Sequence, residues 1–188
     1  MKYLFISLAI MVTNPIFCNV SIAEEYKYSD FSIQIPETWK AVERDKNGKY
    51  RSWLFGRQAT DNESGVSIAI SIFELTNPTF TSEMDLIMTQ DRWLNRDVYI
   101  MGKSKQVLNT SVIYDEIIDG QNFRAINFRS LFNVHNHPEL ELEIFGRAYL
   151  AIINSKVIRV NFQASKSHEN KTKLKLEKII ETIKLFKK

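Results

Sequence analysis

The chain has 188 residues, of which 44% are hydrophobic and 25% are charged, and its formal net charge is +3. This composition is typical of a folded globular chain, and it excludes a disordered tail, a collagen-like fibre and a multi-span membrane protein. The small positive surplus is not the clustered basic excess of a nucleic-acid-binding protein, so we expect no nucleic-acid partner. The single cysteine, Cys18, excludes a disulfide framework and a cysteine-based zinc site.

The first residues have the order of a secretory signal peptide. Lys2 precedes the largely apolar run Tyr3–Val12, and Ser21-Ile22-Ala23 supplies small residues at the −3 and −1 positions of a cleavage site. The apolar run is too short to span a bilayer, which takes about 20 residues. We therefore expect residues 1–23 to be removed and residues 24–188 to form one periplasmic or secreted domain without a transmembrane segment. The alternatives are a retained membrane anchor and a buried strand of the folded domain.

Cys18 raises the question of a lipid anchor, because a bacterial lipoprotein signal ends just before a lipidated cysteine. Such a signal has Leu near position −3 and a small residue at position −1, whereas Pro15 and Phe17 stand at these positions here. The bulky Phe17 beside the scissile bond disfavours lipidation of Cys18.

The alternation of apolar and polar residues predicts seven strands after this leader. They are Phe31–Ile35, Tyr50–Phe55, Val66–Ile72, Ile113–Ile118, Phe123–Phe132, Leu140–Ile152 and Val157–Ala164. Asp119-Gly120 is a two-residue hairpin turn pair, which would place Asp115 opposite Arg124 and Ile113 opposite Ile126. Gly146, within the longest strand, suggests a bend or a bulge.

Two amphipathic helices are predicted. The first begins after Ser82, an N-cap residue with Asp85 three positions later. A helical wheel places Met84, Ile87, Met88 and Leu94 on one face and Trp93 on another. This helix is therefore either buried on two sides, or Trp93 is a surface anchor for a partner. The second helix is predicted over Glu169–Phe186, with one apolar stripe formed by Leu176, Ile179, Ile180, Ile183 and Phe186.

An antiparallel meander with one helix midway and one at the end predicts an α+β domain whose sheet is covered by helix. The segment Phe31–Trp39 resembles the opening of PsbP-like and DcrB-like proteins, which reads F-S-hydrophobic-x-hydrophobic-P-x-x-W. Arg147–Leu150, the turn at Asn154, Val157–Phe162 and the terminal helix also resemble that family. The resemblance implies a central antiparallel sheet with helices packed on both faces, an α/β/α sandwich.

The same resemblance implies mostly non-enzymatic roles. Family members serve as an extrinsic subunit of the photosystem II oxygen-evolving complex, as a Ran-binding import factor, as exported bacterial envelope proteins, and as chaperones or partners of secreted effectors. The chain departs from the anchored DcrB-type members because it lacks an obvious lipid attachment site, and nothing in it points to photosynthesis.

Motifs for catalysis or cofactor binding are absent from the sequence. There is no G-x-S-x-G, G-x-G-x-x-G or Walker A pattern. Glu139, Glu141 and Glu143 on one strand face are more simply a polar sheet surface than the facing carboxylate pair of a glycosidase. We therefore expect no enzyme and no cofactor, although a hydrolase site that is invisible in the sequence is a third hypothesis.

His135 and His137 form the one candidate metal motif. In an extended segment both imidazoles lie on one side, and Glu139 could add an oxygen ligand, a set that suits Zn²⁺ or Cu²⁺. A lone H-x-H also occurs by chance, so an ordinary polar hairpin loop is the interpretation that we favour.

A charged face of the sheet is the candidate site for a partner. Alternation places Glu141, Glu143, Arg147 and Tyr149 on the side of their strand that faces away from Leu142. Arg129 is then expected opposite or diagonal to Glu141 or Glu143, with Arg159 nearby on the same face. This set is either a cross-strand charge ladder or a recognition surface, since Arg and Tyr often anchor interfaces.

The sequence thus predicts an exported, non-enzymatic accessory protein that docks a protein partner in the cell envelope through this face. A divalent-metal or small-ligand binding periplasmic protein is the first alternative. A toxin-immunity or effector-chaperone protein is a special case of the main hypothesis. The identity of the partner and the oligomeric state are not readable from the sequence.

Overall fold

A computed structural model describes residues 23–46, 50–58, 65–76, 78–101, 105–134, 137–166 and 169–186. Within these ranges the chain forms strands and two helices, and the strand pairings are antiparallel. The elements are β1 (Ala23–Lys27), β2 (Phe31–Pro36), β3 (Lys40–Lys46), β4 (Tyr50–Arg57), β5 (Val66–Glu74), α1 (Glu83–Met101), β6 (Lys105–Thr110), β7 (Tyr114–Ile118), β8 (Gln121–Val134), β9 (His137–Ile153), β10 (Lys156–Ser165), α2 (Glu169–Glu181) and β11 (Lys184–Leu185).

The strands form two sheets. The larger has eight strands in the order β3-β4-β5-β10-β9-β8-β6, and β7 pairs with the same edge of β8 as β6 does. The smaller has three strands in the order β1-β2-β11. The predicted α+β class is confirmed, whereas β1, β3, β6 and β11 are strands that the sequence pattern did not predict.

The large sheet carries apolar side chains on both faces. On one face, Phe145, Tyr149 and Phe162 pack with residues of β2 and α2 in one core. On the other face, Ala148 and Leu150 pack with residues of α1 in a second core. Successive residues of β9 therefore enter different cores, because side chains of a strand point alternately to its two faces.

The predicted hairpin is confirmed around Asp119 and Gly120. Both residues have positive φ, 49° and 70°, as a two-residue type I′ turn requires. Asp115 lies opposite Arg124 as predicted. Ile113 precedes β7 instead of pairing within it, and it packs against the second core, to which Ile126 belongs.

Helix α1 begins as predicted but turns a different face to the core. The Asp85 N–H donates to Ser82 Oγ at 3.1 Å, and Asp85 Oδ2 accepts a hydrogen bond from the Thr81 N–H at 3.1 Å. Leu94 is buried in the second core together with the later residue Val98. Of the predicted core face of Met84, Ile87, Met88 and Leu94, the prediction is confirmed for Leu94 and is wrong for Met84 and Met88, which are 63% and 64% exposed. The buried apolar residues lie in the second half of the helix, where they pack against apolar residues of β8 and β9.

Helix α2 is shorter than predicted. Its stripe of Leu176, Ile179, Ile180 and Ile183 is buried, but the helix ends at Glu181. The Thr182 N–H donates to the Ile179 carbonyl at 3.0 Å, and the chain then continues as β11, which pairs with β2. The predicted last helical turn is therefore replaced by β11, because its residues pair with the edge of β2 that β1 does not occupy.

Gly146 serves close packing instead of a bulge. The pairing of β9 with both neighbours passes through Gly146 without a register shift. A Cβ at this position would collide with the ring of Phe128 and would lie 2.7 Å from the Phe162 carbonyl oxygen. The absence of a side chain lets the Phe128 ring lie directly over the strand.

Two sequence predictions concern residues outside the described ranges. The signal peptide falls there except for Ala23, which begins β1, and so does His135 of the histidine motif. Among the described residues, neither helix is long and apolar enough to cross a membrane.

Candidate functional site

A buried guanidinium, that of Arg147 on β9, lies at the centre of the charged face. Arg147 is only 8% exposed. Its Nε donates to Asn127 Oδ1 at 2.7 Å, and its Nη2 donates to Glu177 Oε1 of α2 at 3.0 Å. Its Nη1 donates to both carboxylate oxygens of Glu116 on β7, at 3.3 and 3.1 Å. One side chain thus connects β9 with β7, β8 and α2.

Aromatic groups complete this site, which we call the Arg147 cluster: Arg147, Tyr149, Tyr114, Glu116, Asn127 and Glu177. The Tyr149 hydroxyl donates to Glu116 Oε1 at 3.2 Å and accepts from Arg147 Nη1 at 3.2 Å. The guanidinium also lies 5.9 Å from the Tyr114 ring centroid and 5.8 Å from that of Tyr149, within cation–π range. In this cluster the Arg147 cation has both ionic and aromatic partners.

Burial makes the tyrosines of this cluster unsuited to proton transfer. Burial raises the pKa of Tyr149 far above its ordinary value, and only part of this rise is offset by the Arg147 charge. Burial likewise raises the pKa of Tyr114. Both phenols therefore remain protonated at physiological pH and act as hydrogen-bond donors. Chemically, the cluster can hold elements together, but it presents no activated nucleophile.

The structure corrects the predicted exposure of Arg147 and Tyr149. Tyr149 is 1% exposed and belongs to the first core, and Arg147 lies below Glu177 of α2. The sequence pattern indicated an outward polar face because charged residues alternate with apolar ones along β9. Here the alternation separates two cores, since Tyr149 belongs to the first core and Ala148 and Leu150 belong to the second.

Arg159 lies on the opposite face of the sheet, so the prediction that it shares a face with Arg147 is wrong. Its register partner on β9 is Leu150, which belongs to the second core. Arg159 Nε lies 2.8 Å from Asp97 Oδ2 of α1, and its guanidinium lies 4.9 Å from the Phe73 ring centroid. Burial raises the pKa of Asp97, while the charge of Arg159 opposes this rise.

Arg129 and Glu143 remain at the surface of the predicted face. Arg129 Nη1 lies 3.4 Å from Glu143 Oε1, and Lys166 Nζ lies 2.6 Å from Glu143 Oε2. The three side chains are 40%, 27% and 48% exposed, respectively. Lys166, with Arg129, holds the pKa of the Glu143 carboxyl below its ordinary value. Because Arg129 pairs with Phe145, two residues from Glu143, the predicted diagonal relationship is confirmed.

The two other residues of the predicted partner site lie elsewhere. Glu141 pairs with Asn133 near the far end of β9, and its side chain is outside what the structure describes. Trp93 is partly buried against the second core, and its ring centroid lies 6.4 Å from that of Phe73. Helix α1 thus places Trp93 as well as Leu94 against the sheet.

A polar cavity of about 260 Å³ opens beside the Arg147 cluster. Its polar lining residues are Asn109, Thr110, Ser111, Asn127, Arg129 and Lys173. They come from the end of β6, from β8 and from α2, three elements that the chain brings together only in the folded state. The sequence pattern missed this cavity because β6 was not predicted and its residues form no recognisable motif.

Ser111 connects the segment that follows β6 to β8 along one wall of this cavity. The Ser111 N–H donates to the Asn127 carbonyl oxygen at 3.0 Å, and Ser111 Oγ accepts from the Asn127 N–H at 3.0 Å. The same hydroxyl donates to the Val112 carbonyl oxygen at 2.8 Å. The cavity wall is therefore a hydrogen-bonded extension of the sheet edge.

A metal centre is not evident in the described part of the chain. No group of three or more His, Cys, Asp or Glu side chains is arranged there to hold an ion. The His135 and His137 side chains lie outside that part, so the H-x-H site remains a prediction.

Comparison with known proteins identifies the fold alone. No family model matches the chain, and no curated protein matches it. The solution structure of cyanobacterial PsbP (CyanoP) from Synechocystis sp. PCC 6803 is similar, with a TM-score of 0.57 and 14% identity over 93% of this chain and 99% of that one. LpqN of Mycobacterium tuberculosis, described as involved in cell envelope biogenesis, gives a TM-score of 0.49 at 11% identity, covering 88% of this chain and 91% of that one. The Saccharomyces cerevisiae Ran-binding protein Mog1p gives 0.45 at 8% identity, covering 87% and 95%. The chain has the PsbP-like fold that its sequence resembles.

Proposed function

We propose that this chain is an exported, non-enzymatic accessory protein of the cell envelope that docks a protein partner. The partner contacts the surface formed by Arg129, Glu143 and Lys166, which we call the Arg129 surface. The observation that carries this proposal is a partly exposed, mutually paired set of charges beside an open cavity. The proposal includes the α/β/α layering, with α1 and α2 on opposite faces of the large sheet.

The rigid support of this surface favours recognition. Arg129 and Glu143 lie on β8 and β9, next to the buried Arg147 cluster, so their backbone positions are held by a packed core. A preorganised surface loses less conformational entropy on binding than a mobile one. Paired charges at such a surface select a partner of complementary charge more than they add affinity.

The chemistry of the Arg147 cluster supports a structural role for that cluster in this proposal. Its tyrosines stay protonated, and the two carboxylates in it accept hydrogen bonds from Arg147. A general base or nucleophile needs an activated group within reach of a substrate. The signal-peptide pattern of residues 1–23 supports export, and the PsbP-like fold is compatible with an accessory role.

Charge reversal tests the docking surface. We expect Arg129→Glu to reduce, by tenfold or more, cross-linking of the purified chain to its partner in periplasmic extract. Arg92→Glu is the matched control, because Arg92 is an exposed arginine on α1, which packs on the opposite face of the sheet. Equal cross-linking by a folded Arg129→Glu variant would exclude this surface from partner docking.

A further inference from the structure

The orientation of the Asn127 side-chain amide follows from its hydrogen-bond partners. The Arg147 Nε–H can only donate, so the Asn127 atom 2.7 Å from it must be the carbonyl oxygen Oδ1. The Tyr114 hydroxyl donates to the same oxygen at 3.5 Å. Asn127 also lines the cavity, and its NH₂ group, which carries two N–H donors, is the end of the amide that these two hydrogen bonds do not use.

Two cationic residues line the same cavity. Arg129 comes from β8 and Lys173 from the second turn of α2, so they approach from different elements. Glu143 pairs with Arg129 and Lys166, but it is not among the residues that line the cavity. Among the described residues, the lining therefore contains positive charge and N–H donors, and no carboxylate.

Aromatic residues contribute the apolar part of the lining. Phe145 and Phe162 both line the cavity, and their ring centroids lie 6.4 Å apart in an edge-to-face arrangement. The volume of about 260 Å³ is just below the range of roughly 300–1,000 Å³ for drug-sized ligands. The size therefore suits a small molecule with one ring or a short aliphatic group.

We propose that this cavity binds a small oxyanion, a carboxylate or a phosphate ester, attached to an apolar group. The oxyanion accepts hydrogen bonds from Asn127 Nδ2 and from the cations of Lys173 and Arg129, and the apolar group packs against Phe145 and Phe162. Charge-assisted hydrogen bonds of this kind are about twice as strong as neutral ones. This site shares Arg129 with the proposed docking surface, but its test uses Asn127 and Lys173, which do not belong to that surface, so the two proposals can fail independently.

The experiment is a titration of the full chain with benzoate and with phenyl phosphate, followed by amide NMR and calorimetry. We expect saturable binding, with shifts of the Asn127 side-chain NH₂ resonances. Benzamide, a neutral isostere of benzoate, serves as the matched ligand control, and it should bind at least tenfold more weakly. Absence of binding by both anions, or equal binding of benzamide, would overturn the proposal.

Two variants locate the anion in this cavity. Asn127→Asp keeps an oxygen for Arg147 but replaces the NH₂ donors with a negative oxygen, so anion binding should be lost while the fold persists. Lys173→Gln, a change on a helix surface, should weaken binding at least fivefold, whereas Arg92→Gln on the opposite face should not. Unchanged affinity in folded Asn127→Asp and Lys173→Gln variants would show that the anions bind elsewhere and would refute the assignment.

A peptide arm identifies the source of the oxyanion. A short peptide that ends in phenylalanine is compared with the same peptide amidated at its C-terminus. Binding of benzoate that exceeds binding of the peptide carboxylate indicates a free small molecule. Tighter binding of the peptide carboxylate, lost on amidation, indicates that a protein C-terminus supplies the same chemistry.

Discussion

Arg147 Nη2 on β9 lies 3.0 Å from Glu177 Oε1 on α2, and this ion pair ties the terminal helix to the centre of the large sheet. The two residues are 30 positions apart in the sequence. The same guanidinium holds Glu116 of the edge strand β7. Arg147 therefore connects β9 with β7 and α2, next to the polar cavity.

Replacing Arg147 should destabilise the fold severely. Arg147→Met keeps much of the side-chain volume but leaves Glu116 and Glu177 without their cation. Breaking a buried ion pair on one side typically costs 3–5 kcal/mol, and the partial exposure of these two carboxylates lowers the expectation to about 3 kcal/mol. Urea unfolding followed by tryptophan fluorescence measures the loss.

Arg147→Lys is the control for charge alone. A lysine ammonium cannot reproduce the planar fork that reaches Asn127, Glu116 and Glu177 together, so the variant should recover less than half of the lost stability. A lysine variant as stable as the wild type would show that only the charge matters at this position.

Gly146 should not tolerate a side chain. Gly146→Ala would place a Cβ against the Phe128 ring and 2.7 Å from the Phe162 carbonyl oxygen. Overpacking of this kind costs roughly 1–3 kcal/mol. The free energy of unfolding of Gly146→Ala, of Phe128→Leu and of the double variant forms a mutant cycle. We expect the double variant to be more stable than additivity predicts; strict additivity would mean that the ring does not contact the new methyl group.

Asp30 should make the stability of the protein depend on acid pH. This carboxyl is 5% exposed; it pairs with Arg51, and its Oδ1 lies 2.8 Å from Lys156 Nζ. Burial favours the protonated form, but the hydrogen bonds from Lys156 and Ser29 and the charge of Arg51 prevail and hold the pKa of Asp30 below its ordinary value of 3.8. Because folding lowers this pKa, ionised Asp30 stabilises the folded state. Its contribution to the free energy of unfolding is complete above about pH 3.8 and is lost as the pH falls through the lower pKa of the folded state.

The measurement compares wild type with Asp30→Asn between pH 2.5 and 7. At neutral pH the variant should be less stable by about 2 kcal/mol, the order expected for lost hydrogen bonds to charged groups. The difference should shrink as the pH falls below 3.8. A difference that stays constant down to the lowest pH would contradict the role of the Asp30 charge. Glu25→Gln, at an exposed position on β1, should change stability little at any pH.

Export predicts a defined N-terminus. We expect the chain isolated from the envelope to begin at Glu24 and to have an intact mass without a lipid. Intact mass spectrometry of soluble and membrane envelope fractions checks this. A membrane species that keeps residues 1–23, or one that starts at a lipidated Cys18, would contradict this prediction and would show that the protein is anchored to the membrane.

Local interactions were readable from the residue order. Strand β2 ends at Pro36, and alternate residues of β5 are buried, both as predicted. The alternation of side chains along a strand and the ending of a strand at proline are local properties of the backbone. The turn at Asp119 and the cap at Ser82 follow from side-chain chemistry within four residues. These features made an α+β fold with antiparallel strands predictable.

Side-chain environment depended on contacts between distant segments. Alternation showed that Arg147 and Leu150 point to opposite sides of β9, but both sides are apolar, so the pattern could not indicate which side α2 covers. The pairing of Arg159 with Leu150 and its ion pair with Asp97 of α1 place Arg159 against α1 and apart from Arg147. Burial depends on which elements pack against a strand, and the periodicity of the strand's own sequence does not indicate those elements.

Residue order alone thus specified seven of the strands, the turn at Asp119 and the start of α1, because each follows from backbone preferences over a few residues. The tertiary structure decided that Arg147 is a buried support and that Asn127 and Lys173 line one cavity. These relationships join β8, β9 and α2, and they exist only once hydrophobic burial has brought those elements together.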